Sequence, residues 1–335
     1  MTACDTPVNR PKSTESGAEQ VKLDPSTAPA SETATSGEIY ITVDETLEPV
    51  VDALITNFQF LYKRATVHPI YLPGEEAIAT MLNADSIRLA VATRELTTEE
   101  TAYLKQFNIT PDYAPIFKDG VSCIVSNQNS AQELTVEQLR QILSGERTTW
   151  EGKQTKQGGE EIRVVFDHRN SSTLQYLKEK VLQGEPMMKD RIFALENNPE
   201  VIRYVAENPQ AIGIIGNAWI SDTDDPEVRD FLAGIHVLRL DKPDEDVPCA
   251  FENEYFGPFQ AFLDQNCYPL TREAKTILRE SIFGLGTGFV AYSVGPIGQR
   301  LVHKSGLAAV RGIPREVKFP PKEGARDPRK YRVSE

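Results

Sequence analysis

Histidine and cysteine are scarce in this chain, four of each among 335 residues. His68, His168, His236 and His303 stand far apart, and Cys4, Cys123, Cys249 and Cys267 form neither a Cys-x-x-Cys pair nor a Cys/His set. That spacing argues against a zinc site. Basic residues are in deficit, with 36 Lys and Arg against 49 Asp and Glu, a net charge of −13. The deficit argues against nucleic acid as a partner held by a general basic field. It does not exclude a local anion site built from backbone N–H groups. Long apolar runs are missing too. No stretch approaches the roughly 18 consecutive apolar residues of a membrane span, and no apolar core of a secretory leader is seen. No Ser/His/Asp set, metal-ligand cluster or glycine-rich phosphate loop stands out, so the chain reads as a non-enzyme without a cofactor.

Large apolar residues are also nearly absent from the first 36 positions, which are rich in Pro, Ser, Thr, Glu and Ala. Such a stretch cannot bury enough surface to offset its ordering entropy, and a disordered tether over 1–36 is expected. The opening Met1-Thr-Ala-Cys4 resembles the end of a bacterial lipoprotein signal. That likeness implies lipidation at Cys4, attachment to a membrane through the lipid, and a place in the periplasm or cell envelope. Cys249 and Cys267 could close a loop in an oxidising compartment or remain buried thiols. A basic run at Lys318–Arg332 reads as a solvated tail or a contact for a partner or lipid head groups.

What is present is a regular alternation of strands and helices. Residues 38–43, 67–72, 87–92, 113–117 and 121–125 are β-rich, and amphipathic or capped helices separate the first of them. Thr97 with Glu100 forms one capping box, and Thr135 caps a helix ending before Gly145. Strands are expected again at 162–166, 211–216, 235–240 and 272–278, with helices at 173–181, 198–205 and 289–301 and an extended stretch at 306–319. The rhythm predicts an α/β fold with mostly parallel sheets flanked by helices.

One segment carries chemistry. Arg163–Leu177 reads as a buried strand, a polar loop, and a helix opening on Asn170, Ser171, Ser172 and Thr173. The first turn of a helix has unpaired N–H donors and the positive end of the dipole, and small hydroxyls add donors without blocking access. An ordinary N-cap would use the same residue types.

In order along the chain, Ile39–Pro49, Leu134–Trp150, Phe166–Thr173, Ala211–Gly216, Tyr268–Thr271 and Gly298–Leu307 resemble motifs of the phosphate-binding proteins of bacterial ABC importers. The resemblance spans roughly residues 37–320. It implies a type II periplasmic-binding-protein fold of two lobes joined by two hinge strands. Lobe 1 would take 37–121 plus 272–320, lobe 2 would take 122–271, and 321–335 would be a tail. It implies phosphate or a similar oxyanion in the interlobe cleft, a membrane permease as partner, and a monomer. Thr46 and the backbone N–H groups of Thr46 and Leu47 would serve the first loop, Gly74 the second, and Ser171, Ser172 and Thr173 the third. Two charges depart from the family pattern. The carboxylate expected after the third strand is replaced by Thr93, followed by Arg94. The arginine expected at the start of the third loop is replaced by Asp167. Two expectations stay open: either Arg94 grips the oxyanion and Asp167 pairs with Arg94 or accepts a ligand proton, or Arg94 is a solvated loop residue paired with Glu95, Glu99 or Glu100 nearby. Glu75 and Glu76 either cap a helix or reach the cleft. The second functional reading is a binding fold that has lost its ligand and acts by protein contact.

Overall fold

The computed structural model describes residues 32–150, 161–242, 249–280 and 283–311. Cys4, most of the expected tether and the C-terminal tail lie outside them. The first half runs β1 (Ser36–Asp44), α1 (Glu48–Leu61), β2 (Arg64–Leu72), α2 (Gly74–Asn83), β3 (Ile87–Ala92), α3 (Thr98–Lys105), β4 (Asp112–Ser126), β5 (Glu133–Leu134) and α4 (Val136–Ser144). It continues with β6 (Arg163–Phe166), α5 (Ser172–Leu177), β7 (Ile192–Ala194), α6 (Asn198–Glu207), β8 (Ala211–Gly216) and α7 (Pro226–Gly234). The chain ends with β9 (Ile235–Val237), β10 (Arg239–Asp241), β11 (Tyr255–Phe256), α8 (Gln260–Asp264), β12 (Thr271–Leu278), α9 (Leu285–Ser293), α10 (Pro296–Lys304) and β13 (Ala308–Ala309).

The principal sheet follows the order β2-β1-β3-β12-β4-β8-β6-β7. Its two ends are parallel, β2-β1-β3 in one lobe and β8-β6-β7 in the other. Antiparallel β12 and β4 join them. Strand β4 changes partner in mid-course, pairing β12 up to Gly120 and β8 from Val121. That switch makes β4 and β12 the two crossovers of a two-lobe fold. In each lobe the loops leaving the carboxyl ends of parallel strands gather on one side, where ligands of open α/β sheets bind.

Local chemistry explains the elements. Helix α1 buries Val50, Val51, Leu54, Ile55 and Phe58 on one face, and Phe58 meets the rings of Phe289 and Tyr292. Both expected capping devices form as reciprocal boxes, Thr97 with Glu100 and Thr135 with Gln138. Gly145 closes α4 in the left-handed conformation at φ 89°. Four expectations change. Residues 113–117 and 121–125 belong to one continuous strand, because Lys118 and Asp119 pair with β12 and do not turn. The helix expected over 289–301 is two helices, since Pro296 has no N–H to continue the first and sits at the start of the second. Residues 235–240 divide into β9 on β4 and β10 on β5. The chain also joins lobe 1 before Ser36: Glu32 accepts from Arg88 and from the Leu285 backbone N–H.

Candidate functional site

The seam between the lobes is built from three loops and one hinge strand. At the end of β1, Asp44 caps a short 3-10 turn by accepting from the Thr46 N–H at 3.0 Å and from the Thr46 hydroxyl at 2.8 Å. The Thr46 N–H is thus spent inside its own loop, which corrects the expectation that it points at the cleft. Leu47 sends its side chain into the core. The other oxygen of Asp44 accepts from Thr93, at the end of β3, at 3.4 Å. A carboxylate thus lies beside Thr93, supplied from the first strand.

In lobe 2, Ser171 caps α5 by accepting from the Thr173 N–H, and the hydroxyls of Ser171 and Thr173 pair at 2.7 Å. Ser172 is the hydroxyl that crosses the seam, 3.2 Å from the Thr46 hydroxyl. Two glycines permit this approach. A Cβ on Gly74 would lie 2.7 Å from the Ser172 Cβ, and one on Gly216 would lie 2.5 Å from the Thr46 carbonyl oxygen. Trp219 Nε1 donates to the Glu45 carbonyl, and Asn170 donates to Glu76, so the lobes also meet on either side of this point.

The guanidinium at this seam is Arg272, a residue the sequence reading passed over. Strand β12 alternates, with Arg272, Ala274 and Thr276 buried and Glu273 exposed. The antiparallel register sets Arg272 directly opposite Asp119 of β4. Both side chains are shut away from solvent, at 1% and 0% exposure. Arg272 Nε and Nη2 donate to Asp119 Oδ2, at 3.0 and 2.8 Å. Nη2 also donates to Thr46 Oγ1 at 2.8 Å, and Nη1 donates to Ser172 Oγ at 3.0 Å. One guanidinium therefore holds a hinge carboxylate, a lobe 1 hydroxyl and a lobe 2 hydroxyl at once.

The exchanged pair expected between Arg94 and Asp167 does not form. Arg94 does line a cavity of about 50 Å³ with Asp44, Gly74, Thr93 and Ser172. Its donors point elsewhere: to both oxygens of Glu75, both oxygens of Glu100 and the Glu95 carbonyl. A guanidinium has five N–H groups, and all five are engaged. Glu75 turns to Arg94, and Glu76 turns to Asn170 across the seam.

Asp167 is fully buried and pairs with Asn198, whose Nδ2 donates to its Oδ2 at 3.1 Å. Burial pushes its carboxyl up to about 6, with Ser171 opposing and Asp44 adding to the rise. Burial likewise raises Glu45, to about 8, helped by the charges of Asp167, Asp44, Glu48 and Glu76. The seam thus gathers carboxyl groups near Arg272.

Known proteins share this architecture. The phosphate-binding protein PstS of Staphylococcus saprophyticus is 28% identical over 183 residues, 54% of this chain and 56% of that one. The chain thus matches little more than half the length of this relative. A Clostridium perfringens protein solved with bound phosphate superposes with a TM-score of 0.64 at 19% identity, covering 82% of this chain and 100% of that one. An ABC-type phosphate transport receptor from Vibrio cholerae gives a TM-score of 0.58 at 19% identity, covering 81% and 99%. At that identity the structures establish the fold. A family model described as a PBP superfamily domain matches residues 28–296, and the chain belongs to that family.

Proposed function

We propose that the chain is an extracytoplasmic binding protein that closes its lobes on phosphate or a similar oxyanion and presents it to the membrane permease of an ABC importer. The observation that carries this reading is Arg272. It is a buried guanidinium on a hinge strand, with N–H groups directed at one hydroxyl from each lobe. When the lobes part, the Thr46 and Ser172 hydroxyls separate. Two N–H vectors then face the cleft in the fork geometry that suits a tetrahedral oxyanion. Asp119 keeps the fork oriented from behind. Closure brings the hydroxyls back toward the fork, so they contact the oxyanion that it holds. The family membership and the phosphate-binding relatives support the ligand class.

An extracytoplasmic place accords with the Cys249–Cys267 disulfide, a bond that persists in oxidising compartments. Among the described residues no helix is long and apolar enough to cross a membrane. Attachment through lipid at Cys4 completes the reading, with the chain acting as a monomer and by binding rather than catalysis.

Calorimetric titration with phosphate, arsenate and sulfate tests it. Binding of at least one is expected, with a rise in stability of about 2.7 kcal/mol at a hundred times the dissociation constant. Arg272→Lys, which keeps the charge and loses the fork, should weaken that binding about tenfold or more. Absence of heat and of thermal shift with every oxyanion at millimolar concentration would sink the proposal and favour action by protein contact.

A further inference from the structure

Strand β7 ends the principal sheet and, among the described residues, pairs with β6 alone. The Arg191 carbonyl accepts from the Val164 N–H, and the Leu195 N–H donates to the Phe166 carbonyl. Residues 191 and 195 therefore turn their backbone toward β6. The alternation of a strand turns Phe193 the same way, and it leaves the N–H and C=O groups of Ile192 and Ala194 facing outward from the sheet. The side chains of these two residues line a groove of about 380 Å³. Its floor is apolar, with Leu174 buried and Met187 and Met188 half-buried. Its rim is basic. Arg169, Lys178 and Lys189 are exposed there, and none of the three pairs with a carboxylate among the described residues. Such a cluster stands out in a chain of net charge −13.

We propose that the β7 edge and this groove form a docking site for an extended acidic segment of a partner protein, added to the sheet as a further strand. Two independent features select that occupant. The outward N–H and C=O groups of Ile192 and Ala194 fit an extended backbone, which repeats its own donors and acceptors at the same two-residue spacing. The apolar floor under a basic rim fits a segment whose apolar side chain is flanked by Asp or Glu. Successive groove-facing positions of a strand lie two residues apart, so the pattern is acidic, any, apolar, any, acidic. Methionine side chains adapt to apolar groups of differing shape, so the floor sets a class of residue and not a single one. The edge offers only two outward residues, and the three cations supply the rest of the attraction. The site uses neither Arg272 nor the groups that it holds, so it is independent of the oxyanion reading.

Titration of the full chain with the capped peptide Thr-Glu-Thr-Val-Thr-Glu-Thr, and with its counterpart bearing Lys for Glu, tests the site. The acidic peptide should bind about tenfold tighter or more. Amide exchange followed by NMR should slow at Ile192 and Ala194 in the complex, because their N–H groups gain acceptors. The double change Lys178→Glu and Lys189→Glu, at two exposed positions, should lower the affinity about tenfold at an unchanged melting temperature. Equal binding of the two peptides, binding of neither, or an affinity unmoved by the double change would overturn the proposal. Binding with unaltered exchange at Ile192 and Ala194 would put an anion in the groove without a strand on the edge, and would overturn it as well. Retention on phosphatidylglycerol vesicles without peptide binding would assign the basic rim to a membrane surface, with the same consequence.

Discussion

The two arginines nearest the seam are held in opposite ways. Arg94 stands on a loop at the carboxyl end of a parallel strand, partly open to solvent, and every donor it has goes to acceptors of its own lobe. Arg272 stands inside a hinge strand, closed off from water, and its bonds reach the hinge and both lobes. The loop position looks better placed for a ligand, yet its neighbours Glu75 and Glu100 have already taken the guanidinium. Reach across the boundary comes from β12, which pairs with β3 of one lobe and with the crossover strand β4. An arginine's partners decide what it can hold, more than the kind of element that carries it.

The largest test of that contrast is Arg272→Ala. It would leave Asp119 buried without its counter-charge, a situation that costs about 3–5 kcal/mol. Urea unfolding should show a fall of that size in the unfolding free energy extrapolated to water. Replacing both partners, Asp119→Leu with Arg272→Met, should recover part of it by removing both charges. Recovery would be incomplete, because Asp119 also accepts from the Ala218 backbone N–H. A loss below about 1 kcal/mol for Arg272→Ala, the size of a surface pair, would erase the distinction between the two arginines.

A smaller test concerns the carboxylates that lie outside both sets of bonds. Glu45 rises from an ordinary 4.5 to about 8, and Asp167 from 3.8 to about 6, each chiefly through burial. A raised acid binds more protons folded than unfolded between its two values. Stability from these groups is therefore fully present below about pH 4 and falls as pH rises through 6 and then 8. Melting temperature measured without ligand from pH 5 to 8 should decline, and Glu45→Gln should flatten the upper part of the slope. A melting temperature that climbs over this range would contradict the burial of these carboxyls at the seam.

Much of this arrangement was legible in the sequence, and the part that was not has a common cause. Ser172 could be placed because it opens a helix whose capping chemistry is written in consecutive residues, and Thr46 because its loop resembles a family motif. The capping boxes at Thr97 and Thr135 are local in the same sense. Arg272 and Asp119 are 153 positions apart. Within Thr271-Arg-Glu-Ala-Lys275 a charged side chain reads as outward-facing, although its phase with Ala274 and Thr276 marked the inward face. Asp119 lay in the gap between two expected strands, where Asp-Gly suggests a turn. Only pairing β4 with β12 turns the two residues toward each other. The displaced carboxylate follows the same logic. Asp44 lies beside Thr93 because adjacent parallel strands β1 and β3 end side by side.

Arg94→Ala should be the mildest change. Its pairs with Glu75 and Glu100 are partly exposed, with side-chain exposures of 27%, 45% and 23%, so water screens them and returns hydration when they are lost. The cost should be about 1 kcal/mol or less and should shrink further in high salt. Glu100 would keep the Thr97 N–H in its capping box, so α3 should stay formed. The carboxyl of Glu100, now held low chiefly by the Arg94 hydrogen bond, should move upward in a titration followed by NMR. Oxyanion affinity should change by no more than about twofold, since no donor of Arg94 is directed at the cleft. A loss of affinity approaching that of Arg272→Lys would mean that Arg94 leaves Glu75 and Glu100 when the lobes open, and that both arginines hold the ligand.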